Sequence, residues 1–139
     1  MKSKKIVISA SASQKVAIGK WLKYWDNKGF KVIGNPVQIK SKDFVVAWPK
    51  VHVDFYKALA KTDFHFIANE DKDGISGYIG VGVFAELAFV VGLNLSRLKK
   101  ITVLIYKIPD SKNIFYKDIM LWLGQGWITL LVDYLKNKK

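Results

Sequence analysis

Apolar residues along the chain alternate between two patterns. Short β-branched or aromatic runs at Lys5–Ser9, Phe30–Gly34, Phe64–Ala68 and Ile101–Tyr106 are bounded by polar or breaking residues and predict strands. Between the first two runs, Val16, Ala17, Ile18, Trp21, Leu22 and Trp25 recur at three-and-four spacing. That spacing predicts a helix over Gln14 to Asn27, capped by Ser13 and stopped at Gly29. Pro49 suits a first helical turn, so a second helix is predicted over Lys50 to Lys61, with Val51, Phe55, Ala58 and Leu59 inward. Val37–Trp48 reads as a loop with short structure. A third helix, Val81 to Leu93, is apolar all round except for Glu86. In Ile114–Leu123 the pattern suggests a helical turn and then a fifth strand near Ile119–Leu123. Gly124-Gln125-Gly126 breaks it before a last helix over Trp127–Asn137.

Strands alternating with helices through short loops predict an α/β fold with a parallel sheet and helices on both faces. The expected architecture is a flavodoxin-like three-layer sandwich, with a five-stranded parallel sheet of order 2-1-3-4-5, in one domain over residues 1–139. In that order the sheet switches direction between strands one and three, and ligands bind beyond the carboxyl ends there. The two loops at that point are Ser9–Ser13 and Asn69–Gly82, the most unusual in the sequence.

Composition narrows the classes of function. The chain has no cysteine, which excludes disulfides and thiolate metal sites. No apolar run reaches the roughly 20 residues that span a bilayer, and the charged start leads into a strand pattern rather than a signal sequence. The expectation is a soluble cytoplasmic protein with no membrane partner. A net charge of +12 raises the question of polyanions. Of the 23 basic residues only Arg97 is arginine, and the lysines are scattered. Base readout and phosphate clamping favour arginine, so a nucleic acid is not the expected partner.

Candidate chemistry collects in the two loops. Ser9, Ser11 and Ser13 precede a helix N-terminus, where hydroxyls and backbone N–H groups suit a phosphate, although Ser13 also serves as a plain cap. Gly77, Gly80 and Gly82 admit either a ligand close to the backbone or a tight turn. Residues 80–85 also match a G-x-G-x-x-A dinucleotide fingerprint, but after strand three rather than strand one. The acidic stretch 69–74 starts like a calcium loop, but Gly80 stands where the bidentate acid is required. No metal site or cofactor is expected. Glu86 has two readings. As a capping-box acid it would sit at N3 of a helix capped by Val83, which offers no reciprocal side-chain bond. As a nucleophile it would be held between a helix N-terminus favouring the anion and apolar neighbours opposing it. His52 and Asp54, at the start of the second helix, are candidates to face the same crevice, although both, and His52 above all, also read as plain surface or capping residues. His65 and Asp63 read as structural, and Trp48 and Trp127 are candidates for ring stacking.

At these residues the chain resembles the nucleoside 2-deoxyribosyltransferase-like family. The resemblance lies in the opening strand and small-residue loop Lys5–Ser13, the acids Asp54 to Asp63, and the glycine loop running into Gly82-Val83-Phe84-Ala85-Glu86-Leu87-Ala88-Phe89. It spans about the first hundred residues. It implies transfer or hydrolysis at the N-glycosidic bond of a deoxynucleoside or its monophosphate. Glu86 matches the nucleophilic glutamate, Asp54 looks like the acid that holds the sugar hydroxyls, and the serine loop matches a sugar or 5′-phosphate contact. It also implies a homo-oligomer that completes the site between subunits. The chain departs from the pattern at Gly80, where transferases carry an acid, and at Phe84, where a glycine is common. The missing acid favours the alternative, a non-catalytic nucleotide-binding module on the same fold.

Overall fold

The computed structural model describes residues 2–97 and 100–138. Its elements are β1 (Lys5–Ser9), α1 (Lys15–Asn27), β2 (Lys31–Gly34), α2 (Phe44–Lys61), β3 (Phe64–Ile67), α3 (Val81–Ser96), β4 (Thr102–Ile105), α4 (Tyr116–Gly124), β5 (Thr129–Leu130) and α5 (Leu131–Lys136). All strand pairs are parallel and the order is β2-β1-β3-β4-β5. This is the flavodoxin-like α/β arrangement expected from the strand and helix pattern.

Strand side chains alternate between the faces, and each face has its own core. Ile6, Ile8, Phe64, Phe66 and Leu104 pack under α1 and α5 with Trp21, Trp25 and Leu131. Trp25 lies within about ring-contact distance of Phe30 (4.9 Å) and Phe66 (5.2 Å), which gives this layer an aromatic centre. Val7, Ile67, Val103 and Ile105 face the other way, under α2, α3 and α4, with Leu59, Leu87, Val90 and Ile119. By the same alternation Ser9 and His65 belong to this second face. In the parallel register Val7 lies beside His65 and Ser9 beside Ile67.

Four boundaries differ from the expected ones. The segment expected to hold the fifth strand, 119–123, lies in α4, and the strand is the two-residue Thr129–Leu130. Ile119 is fully buried while Trp122 and Leu123 pack on the same core, so helical spacing decides this run. The last helix is correspondingly short, since Trp127 and Ile128 precede β5. Helix α2 starts at Phe44, six residues before the expected start, and carries Pro49 inside it. Its first turns expose Val45 and Val46 at 85% and 87%, so the apolar run 44–48 is helical without a polar face. Ser13 does not cap α1: Gln14 holds the cap position, with no side-chain bond. No helix among the described residues is long and apolar enough to cross a membrane.

Candidate active site

The site is built where β1, β3 and α3 meet. The loop after β3 turns tightly at Asp73 and Gly74, with Lys72 and Ile75 exchanging backbone hydrogen bonds. It is pinned on both flanks. Glu70 accepts from Lys20 (2.8 Å) and the Trp21 indole (2.7 Å). Asp71 accepts from the Gly77 N–H (2.9 Å) and pairs with Lys107 (2.7 Å), which holds its carboxyl down at about 2. The chain then enters α3 with Gly80 as the cap.

Counting from Val81, Glu86 is the sixth residue of α3, in its second turn. It is therefore not a capping-box acid. The Ser9 hydroxyl donates to Glu86 Oε1 at 2.7 Å. The same Oγ lies 2.7 Å from His65 Nε2. Burial pushes the Glu86 carboxyl up to about 7, outweighing the Ser9 hydrogen bond that lowers it. Burial, and no charged partner, also holds His65 down to about 3, so its imidazole is neutral near neutral pH. Burial, followed by the charge of Glu86, raises the Tyr56 phenol.

Two cavities meet at Glu86. One, of about 340 Å³, is largely apolar and aromatic, lined by Ala10, Val37, Phe44, Trp48, His52 and Phe55 among others. His52 stacks between Trp48 (4.5 Å) and Tyr56 (4.6 Å), so α2 presents a ladder of flat rings along this wall. The other, of about 240 Å³, is more polar, lined by Ser11, Asn69, Lys72, Tyr78, Gly80 and Gly82 among others. Lys72 reaches over the Tyr78 ring and donates to Ser11 Oγ at 2.6 Å. Among the described residues, Glu86 is the one acid and Lys72 the one lysine lining either cavity.

The expected site residues are thus partly brought together. Ser9, Ser11, Gly80, Gly82, Glu86, His52 and Trp48 converge. Ser13 is exposed, its hydroxyl lies 3.1 Å from that of Ser11, and it lines a separate open groove with Gln14, Lys15 and Glu70 among others. Gly77 lines neither cavity. Its φ is +64°, and a Cβ there would stand 2.9 Å from Pro109 Cα, so this glycine serves the packing of two loops. Asp54 is not brought to Glu86. It lies two residues before Tyr56, about 200° around the helix, and pairs with Lys50 at 2.6 Å, which lowers its pKa. Phe84 does not narrow the cavities either, because it stacks on Phe115 at 4.1 Å, against α4. Trp127 lies at a separate cavity beside β4.

Two residues of the site had no part in it from sequence: His65 read as structural, and Lys72 was given no role within the acidic stretch 69–74. Strand parity was the available signal for His65, since it puts positions 7, 9, 65 and 67 on one face. Lys72 carried none, because its direction depends on the turn at Asp73-Gly74. Among the described residues, no group of three or more His, Asp or Glu side chains could hold a metal ion. No protein-family model matches the chain, and no curated protein matches it in sequence.

Proposed function

We propose that this protein cleaves or transfers the N-glycosidic bond of a nucleoside or nucleotide through a covalent intermediate on Glu86. The observation that carries the reading is the position of Glu86: one carboxylate, held by Ser9, where a ring-lined cavity and a lysine-bearing cavity meet. A base lying against the ring edges of Trp48 and His52 would set the anomeric carbon of its sugar toward Glu86, and a 5′-phosphate would lie toward Lys72. Glu86 then forms a C–O bond to the anomeric carbon as the C–N bond breaks. The electron pair leaves with the base, which takes one proton from solvent. Water, or a second base, attacks the same carbon and returns the carboxylate. The reaction needs no cofactor. The resemblance to the nucleoside 2-deoxyribosyltransferase-like family supports the same residue in the same role.

A second copy of the chain is the proposed cover for the exposed apolar start of α2, which borders the ring-lined cavity.

The test is incubation with deoxynucleosides and their 5′-monophosphates, reading released base by chromatography and a glycosyl adduct on the protein by mass spectrometry. Released base from the wild type, and none from Glu86→Gln, is the expected result. Nucleotide binding with no base release from either protein would leave the second reading, a nucleotide-binding module. One observation favours that reading: Gly80 and the remote Asp54 leave Glu86 without a second acid in the cavities.

A further inference from the structure

We infer that His65 and Ser9 are positioning residues for Glu86, locking Oε1 as a permanent acceptor so that Oε2 alone meets the ligand or carries the carboxyl proton. The inference rests on the reading of Glu86 as the reacting carboxylate.

The argument is a proton count along Glu86 Oε1, Ser9 Oγ and His65 Nε2. Each link is 2.7 Å, so each holds one proton. The hydroxyl supplies one, and the neutral imidazole has one to place. His65 is fully buried and its Nδ1 has no hydrogen-bond partner among the described residues. With the ring proton on Nε2, His65 donates to Ser9, the hydroxyl turns to Oε1, and Nδ1 keeps an unshared lone pair. With the proton on Nδ1, a buried N–H is orphaned and the Ser9 hydroxyl turns back to Nε2. Orphaned buried N–H groups are the rarer and costlier kind. The first arrangement therefore holds, and it leaves Ser9 no freedom to accept from Glu86. A proton arriving on the carboxyl must sit on Oε2, which has no hydrogen bond to any described residue. The other titratable groups around the carboxyl are His52 and Tyr56 on α2, and Lys72 and Tyr78 on the loop before α3. None of them is hydrogen-bonded to it, so the Ser9–His65 pair is what orients it.

Two measurements without substrate test this, so their failure is separate from failure of the glycosyl-transfer reading. The first is ¹⁵N NMR of the wild-type imidazole between pH 5 and 8. A protonated Nε2 and a bare Nδ1 are expected, and a protonated Nδ1 overturns the inference. The second follows Glu86 by ¹³C-carboxyl titration, assigned against Glu86→Gln. Ser9→Ala raises the midpoint by about one pH unit, the worth of a hydrogen bond to a charged acceptor, and His65→Leu raises it by less, because the Ser9 hydroxyl stays but is free to accept from the protonated carboxyl. His65→Gln keeps an N–H near the Nε2 position and brings the midpoint back toward the wild-type value. An unmoved midpoint in Ser9→Ala and His65→Leu, or no recovery in His65→Gln, shows that His65 only fills space.

Discussion

Ser9 and Glu86 are 77 positions apart and share a 2.7 Å hydrogen bond. One sits at the carboxyl end of the first strand and the other in the second turn of α3. The contact brings a hydroxyl to a carboxylate that burial would otherwise keep protonated. It does not fully offset that burial, because the carboxyl still stands at about 7 against an ordinary 4.5.

The first prediction follows from the signs of two opposed shifts. Glu86 is raised in the folded state, so the native protein binds the extra proton and stability falls as pH rises from 4.5 to about 7. His65 is lowered from 6.5 to about 3, so the unfolded chain binds the extra proton and stability rises over that window. Between pH 4.5 and 6.5 the two slopes cancel. The lowered Asp54 and Asp71 titrate below 3.8, outside this range. Glu86→Gln removes one slope, so its unfolding free energy climbs by about 1.4 kcal/mol per pH unit from 4.5 to 6.5. The wild-type value stays level there. Urea unfolding at several pH values checks both, and parallel curves would refute the opposed shifts.

The second prediction concerns rate. A nucleophile must be ionised, and half of Glu86 is protonated near pH 7. Below that value kcat/KM falls about tenfold per pH unit, and above it kcat/KM is level on this limb. In the proposed reaction the carboxylate forms the covalent bond itself, so Glu86→Gln is expected to lower kcat by about 10³-fold or more. A pH profile of kcat/KM with released base as the signal checks this, and a profile without that limb would remove the ionised Glu86 carboxylate from the reacting role.

The sheet and the site differed in how legible they were. Strands one to four showed as β-branched runs between breakers, and with alternating helices they suggested the flavodoxin-like order that the sheet has. The fifth strand did not show, because a two-residue strand has no period, while the apolar run 119–123 fits strand or helix until Ile119 is seen buried. The early start of α2 was hidden for the opposite reason: Val45 and Val46 lie exposed where a globular helix should be polar. Glu86 was legible as the one charge in an apolar helix. Asp54 was misread because a residue's direction on a helix depends on which face the core takes, and Tyr56 and Leu59 take the other one. His65 gains its meaning from Ser9, 56 positions away, a contact local patterning does not carry.

The third prediction separates nucleotide from nucleoside. Among the described residues Lys72 is the one lysine at the cavities, and it has Ser11 as its hydrogen-bond acceptor, leaving its charge available to an anion. Lys72→Ala weakens deoxynucleoside 5′-monophosphates by about tenfold, the worth of one charge-assisted hydrogen bond. Binding of the unphosphorylated nucleosides changes little. Titration calorimetry with both ligand sets decides it, and an equal loss for the two would remove phosphate from the role of Lys72.

The fourth prediction separates a glycine of the loop before α3 from one in the first turn of that helix. Gly77→Ala forces a Cβ to 2.9 Å from Pro109 Cα at a positive φ, and costs about 1–3 kcal/mol in thermal or urea unfolding. Gly82 lies in the first turn of α3 with open space at its Cβ position. Gly82→Ala therefore keeps or slightly raises stability, by up to about 1 kcal/mol. Its effect falls on ligand affinity, because the added methyl enters the polar cavity. Equal destabilisation by both would mean that Gly82 is also a folding residue.

The last prediction concerns the apolar start of α2. Phe44, Val45, Val46 and Trp48 are all exposed, with Val37 exposed beside the same cavity. Contiguous apolar surface of this kind marks an interface more often than a free surface. The chain carries a net charge of +12, so self-association needs a contact patch free of lysine. The run 44–48 has no charged side chain. The double variant Val45→Asp, Val46→Asp leaves the sheet untouched, since both side chains are solvent-facing, and it shifts a self-associated protein toward monomer. Sedimentation velocity of wild type and variant at matched concentration reads the change. A monomeric wild type would show that this face serves something other than a second copy. If the pair associates and the variant also loses base release while keeping its fold, the ring-lined cavity is completed by the neighbouring subunit.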